Sequence, residues 1–283
     1  MSKPEVVVDA CARLGEGPIW DDRDGVLYWV DVLGRAVHVH DPQGEPDRTI
    51  DIGAHVSAIG LRESGGLLIA VVDRVRTLDP RTGEMATIAT VKHPGPQARF
   101  NDASCDPAGR FWVGTMAYDS TPGAGILYRL DRSGEVTPVL DGITVSNGLG
   151  FTPDGGTLYY ADTPTQKIDV FAVTAGGRLT DRRTLVEIPK QQGSPDGLTL
   201  DAEGCVWVAL WDGAAVHRYT PDGALDRVVE FPVPRPTCPV FGGPDLDTLY
   251  ATSAATGNDN PLSGALFAVD AGVAGLPPDR FLG

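Results

Sequence analysis

Six residues, Glu16, Ser57, Asn101, Asn147, Asp196 and Cys238, fall at the same place in a phrase that recurs along the chain. Four of them are carboxylates or carboxamides. Two carboxylates and two neutral amides make a donor set for a hard divalent cation, which takes oxygen ligands and needs its charge compensated, with water completing the sphere. Oxygen-only donors lean to calcium, magnesium or manganese. Glu16 lies in L-G-E-G-P-I-W, where Gly15 and Gly17 let the backbone bend or approach a neighbour closely and Pro18 fixes φ ahead of an extended run. Alone, that stretch reads as a turn with a solvated Glu, and Asn147 before Gly148 reads as a turn pair. Repetition is what gives these positions chemical meaning.

The phrase that positions them is an apolar strand, a turn built on Asp, Pro and Gly, a second strand with aromatics, and a third strand ending near another Asp-Gly turn. It begins with GPIW-DDRDG-VLYWVD and returns as SAIGL-RESGG-LLIAVV, DASC-DPAG-RFWVGT, GLGFTPDGG-TLYYAD, GLTL-DAEG-CVWVAL and PVFGGPDLD-TLYATS. Six copies spaced by roughly 40 to 50 residues predict an all-β, six-bladed β-propeller formed as one domain over residues 1–283. One blade cannot bury both faces, whereas a ring of six buries them all. Val6 to Ala10 are a spare strand expected to complete the last blade beside Gly264 to Asp270. Innermost strands line the axis of such a ring, so the six residues should converge at one mouth. The register also separates look-alikes. Asp154 and Asp222 follow strands and serve turn geometry, whereas Asp196 precedes the innermost strand of its blade.

L-G-E-G-P-I-W at 14–20, R-F-N-D at 99–102, D-P-A-G-R-F-W-V-G-T-M at 106–116, S-N-G-L at 146–149, S-P-D-G at 194–197 and F-G-G at 241–243 resemble, in order, the signatures of the SMP-30, gluconolactonase, regucalcin and luciferin-regenerating enzyme family. The resemblance covers nearly the whole chain. It implies a six-bladed propeller with a divalent metal on its axis and hydrolysis of sugar-derived lactones. It further implies Glu16, Asn147 and Asp196 as metal ligands, Asn101 as a contact to water or substrate, and Arg99 as a substrate-binding arginine. Asp119 falls near an acidic substrate contact of some relatives, while Tyr118 stands where an acid is common. Relatives accept zinc and other divalent ions. Calcium heads the expectation, with zinc, magnesium, manganese and iron(II) behind it. Asp196 is then the candidate general base, or the residue that orients a water already acidified by the metal. Two other readings share these motifs. One is another hydrolase on the same metal, of phosphotriesterase or aryl-esterase type; the other is a propeller whose ion is structural and whose face binds a protein.

Composition narrows the partners. A formal charge of −15 argues against a nucleic-acid backbone or an anionic membrane surface; the small-molecule sugar lactone is the partner the family resemblance implies. The amino-terminal MSKPEVVVDA has no apolar stretch of signal-peptide length, and no run approaches a membrane span. Cys11, Cys105, Cys205 and Cys238 are far apart without a C-x-x-C, as expected for free, mostly buried thiols in a reducing cytoplasm. His38 and His40 share one face of a strand far from the axis and are expected to be exposed. His55, His93 and His217 show no metalloprotease spacing, and neither a G-x-S-x-G elbow nor a phosphate loop occurs. The tryptophans are expected first of all to pack between blades, with stacking on a sugar ring as the alternative for Trp211, which follows its strand. Tyr118 to Ala124 and Thr256 to Ser263 are loops placed to shape a lid.

Overall fold

The computed structural model describes residues 3–44, 46–93 and 97–283. Short strands alternate with Asp-capped turns. Asp79 accepts hydrogen bonds from the backbone N–H groups of Arg81 and Thr82, and Asp154 from that of Gly156. These Asx contacts set each reversal and leave the flanking apolar runs free to pair. Among the described residues six sheets form, each an antiparallel meander of four strands. Their innermost strands are Gly15–Asp21, Val56–Arg62, Ala98–Cys105, Ser146–Phe151, Ser194–Leu200 and Pro236–Gly242, in blades 1 to 6. Each packs against the next, and the sixth against the first, so the ring closes as a propeller. The amino-terminal strand, Glu5–Val8, pairs with Leu266–Asp270 as the outer strand of blade 6, slightly earlier in the chain than the sequence suggested.

The core lies between blades. Trp112 and Trp207 are fully buried there, and their indole nitrogens bond Asp106 and Asp201. These two acids also receive Arg110 and Arg218 respectively, so each charge under the outer blade is matched. A fifth strand joins blade 2 on the axial side, where Arg280–Phe281 runs parallel to the inner strand. Leu276 to Asp279, just before it, line a cavity of about 140 Å³ toward the end of the axis where the inner strands finish. Among the described residues no helix is long and apolar enough to cross a membrane.

Candidate active site at the open mouth of the axis

All six inner strands run the same way, and each carries one register break near its start. The breaks fall between Glu16 and Ile19, Val56 and Ala58, Phe100 and Ala103, Asn147 and Leu149, Pro195 and Leu198, and Pro236 and Pro239. A bulge releases residues from the ladder and re-aims their side chains. All six residues singled out by the repeat lie in these bulges or at their edges. Asn147-Gly148 is therefore a bulge within a strand, not a hairpin turn. The glycine serves close packing, because a Cβ on Gly148 would stand 2.7 Å from the carbonyl oxygen of Asp196 in the next blade. A Cβ on Gly197 would likewise run into the Cys238 sulfur.

The amides at this mouth have their orientation fixed by an arginine. Arg99 is buried, and its Nη1 donates to Asn101 Oδ1 at 2.7 Å and to the Phe100 carbonyl at 2.8 Å. A guanidinium has no acceptor, so the Asn101 atom facing it must be oxygen. Asn101 Nδ2 then donates to Asn147 Oδ1 at 2.6 Å, and Asn147 Nδ2 donates to Thr163 Oγ1 at 2.7 Å. Thr163 passes its own hydrogen to the Pro195 carbonyl. This relay crosses from blade 3 to blade 5 and leaves the oxygen of Asn147 toward the axis, with a lone pair to spare.

Glu16, Asp196 and Asp102 act on one another electrostatically. The Glu16 carboxyl is pushed well above the usual range by burial, then by Asp196 and Asp102; that of Asp196 is pushed up by burial, then by Asp102. The Asp102 carboxyl is raised to about 7 by burial. Each is bonded by the N–H of its own following residue, Gly17, Ala103 or Gly197. Among the described residues none of the three lies within ion-pair distance of a cationic side chain. Arg99 lowers both Glu16 and Asp196, but as a smaller influence than burial. Two crowded carboxylates and an amide oxygen, short of positive charge, are a donor set that a hard divalent cation fits. The described residues hold no cluster of three or more His, Cys, Asp or Glu that could bind a metal, and the set here needs the asparagine as its third member.

The other sequence candidates fall as follows. Ser57 is within 3.4 Å of Arg99, and Cys238 is a buried thiol on the axis. Asp119 is exposed, and its carboxylate accepts hydrogen bonds from the Thr121 amide and hydroxyl, which hold it below the usual range. The residue acting on Arg99 from that loop is Tyr118. Asp102 escaped the sequence reading because adjacent strand residues normally face opposite ways; the bulge after Phe100 leaves both Asn101 and Asp102 unpaired, and Asp102 lines the axial cavity. His38 and His40 are half-buried, contrary to the expected exposure: His38 stacks on Trp29 with centroids 4.1 Å apart, and His40 bonds Asp47. Trp211 has one ring face under the Arg235 guanidinium, 4.6 Å from the centroid. The four cysteines are free, and Cys11 is exposed.

Residues 14–255 match the family model described as SMP-30/Gluconolactonase/LRE-like region. The chain is 37% identical to the pentonolactonase of Haloferax volcanii, over 97% of this chain and 96% of that protein. It is 35% identical to the 6-deoxy-6-sulfogluconolactonase of Pseudomonas putida, over 98% of each. Its fold superposes on the crystal structure of a calcium-binding protein, regucalcin, from Agrobacterium tumefaciens with a TM-score of 0.93, at 30% identity and over 99% of this chain and 97% of that one. The family match over most of the chain and the likeness to these relatives show that the chain belongs to the SMP-30/gluconolactonase/LRE-like family.

Proposed function

We propose that this protein hydrolyses sugar lactones, such as glucono-, xylono- or arabinonolactone, to aldonic acids, using a divalent cation held by Glu16, Asn147 and Asp196. The observation that carries the reading is the pair of electrostatically coupled carboxylates, half-buried Glu16 and buried Asp196, which among the described residues have no cationic side chain within ion-pair distance, at the same register as an asparagine whose amide orientation is fixed by hydrogen bonds. Relatives at 35% and 37% identity that are named as lactonases support the reaction class, and the calcium-binding title of the structural relative supports the cation. The cation supplies Lewis-acid polarisation of the lactone carbonyl.

The chain's own groups do the rest. Asp196 accepts a hydrogen bond from the attacking water and either takes its proton as the C–O bond forms or, since a bound cation lowers the basicity of a carboxylate, orients a water that the cation would acidify. The ring C–O bond then breaks, and the departing oxygen recovers that proton as the new hydroxyl. Arg99 has donor capacity toward the substrate's hydroxyl or ring oxygens while anchoring the amide relay, and Asn101 borders the same space. Four free cysteines suit a reducing cytoplasm. The test is a panel of C5 and C6 aldonolactones assayed with and without chelator, corrected for spontaneous ring opening. Rates above buffer that chelation abolishes are expected. No acceleration, with chelation lowering only the melting temperature, would leave a structural ion and end the catalytic reading.

A further inference from the structure

The rim of the mouth over blades 1 to 3 differs in charge from the rest of the molecule. Arg13 stands just before the inner strand of blade 1, and Arg35 ends the turn between that blade's second and third strands. His55 precedes the inner strand of blade 2, and Tyr118 follows the second strand of blade 3. Gly15 pairs with Asp31, and the Tyr118 N–H bonds the Gln97 carbonyl, so these positions share the end of the ring where Glu16 and Asn101 lie. The parts also interact: His55 Nδ1 and Tyr118 Oη are 3.2 Å apart. Arg99, Arg35 and Arg13 all reach His55 electrostatically and, after burial, hold it below its usual range.

In a chain with 38 acidic and 23 basic residues, three guanidiniums converging on one imidazole run against the composition. Among the described residues neither Arg13 nor Arg35 lies within ion-pair distance of a carboxylate; Arg13 Nη1 reaches the Leu33 carbonyl at 3.3 Å. The nearby Asp31 is committed to the backbone N–H groups of Arg13, Leu14 and Gly34, and Asp51 to that of Gly53. The opposite rim shows the contrast: Arg235 over Trp211 is neutralised by Asp212 at 2.6 Å.

We propose that the preferred substrates are lactones bearing a second, anionic group, such as a phosphate, sulfonate or carboxylate, held at the rim by Arg13 and Arg35 beside His55 and Tyr118. This rests on the lactonase reading and adds the substrate class. Guanidiniums form forked, charge-assisted hydrogen bonds to such oxyanions, and Arg99 links rim to axis because it acts on both Tyr118 and Glu16.

The experiment measures kcat/KM on glucono-1,5-lactone, its 6-phosphate and glucaro-1,4-lactone, and calorimetric binding of gluconate, gluconate 6-phosphate and inorganic phosphate. The wild type should favour the phosphorylated or carboxylated lactone by roughly tenfold or more, and this preference should shrink in 0.5 M salt. Arg35→Glu and Arg13→Glu should each cut the anionic-to-neutral ratio roughly tenfold, while Arg235→Gln leaves the ratio unmoved. The two lactones show whether phosphate or carboxylate is the better anion. A ratio near one in the wild type, or one unmoved by both rim variants, overturns the proposal. So does gluconate 6-phosphate binding no tighter than gluconate or than phosphate alone. If no lactone is opened but Arg35→Glu abolishes a clear preference for gluconate 6-phosphate, the catalytic reading fails and the rim assignment stands.

Discussion

Two groups of buried acids in this propeller face opposite fates. Asp106 and Asp201, in the turns that follow the inner strands of blades 3 and 5, are saturated with donors: Asp201 receives the N–H groups of Glu203 and Cys205, the Trp207 indole and Arg218 Nε at 2.8–3.0 Å. Asp106 receives the Arg110 N–H and Nε and the Trp112 indole at 2.6–3.0 Å. Asp102 and Asp196 are also buried and Glu16 is half-buried on the axis, yet among the described residues each is bonded only by the backbone N–H of its next residue. A carboxylate that holds structure is given its counter-charge by the chain; one that binds a ligand is left short of it.

The contrast can be broken in order of effect. Glu16→Gln and Asp196→Asn should each lower kcat/KM on an aldonolactone by at least ~1000-fold, and, measured on chelated protein at pH 8, should raise the melting temperature because a buried charge is removed. Loss of the carboxylate at Asp201 should do the reverse: Asp201→Ala should cost about 3 kcal/mol in urea unfolding by leaving the buried Trp207 indole and two backbone N–H groups without their acceptor, while Arg218 keeps Glu203 and Asp226, with kcat of the folded fraction nearly unchanged.

A pH scan is next in size. With the Asp102 carboxyl raised to about 7 by burial, the folded chain keeps a proton that the unfolded chain releases in the ordinary carboxylate range. Stability of the chelated protein should therefore fall as pH rises from about 4 to 7, by roughly 2–4 kcal/mol from this group, and Glu16 and Asp196 add in the same direction. Asp102→Asn should flatten the profile, whereas a profile rising through that window would show that the axial acids find counter-charge within the chain. The smallest effect is expected at the relay. Thr163→Val removes the acceptor that holds the Asn147 amide and should lower kcat about tenfold while costing about 1 kcal/mol of stability, read by kinetics and urea unfolding side by side.

The blades, their closure by the amino-terminal strand and the shared place of Glu16, Asn147 and Asp196 at the bulged starts of inner strands were legible in the sequence because a repeat fixes register. Exceptions to the period were not legible. The bulge after Phe100 brings Asp102 to the axis against strand alternation, and Arg280–Phe281 adds a strand with no repeat to mark it. Asp119 and Tyr118 were one residue apart in an irregular loop, where sequence offers no register to decide which faces Arg99.

The most direct measurement is lactone hydrolysis by protein stripped with chelator and titrated with a divalent cation, calcium first, while binding is followed by calorimetry. Activity should vanish on stripping and return with one equivalent per chain, and Asp196→Asn should show neither binding nor recovery. A stripped protein that opens lactones at the untreated rate would contradict the account.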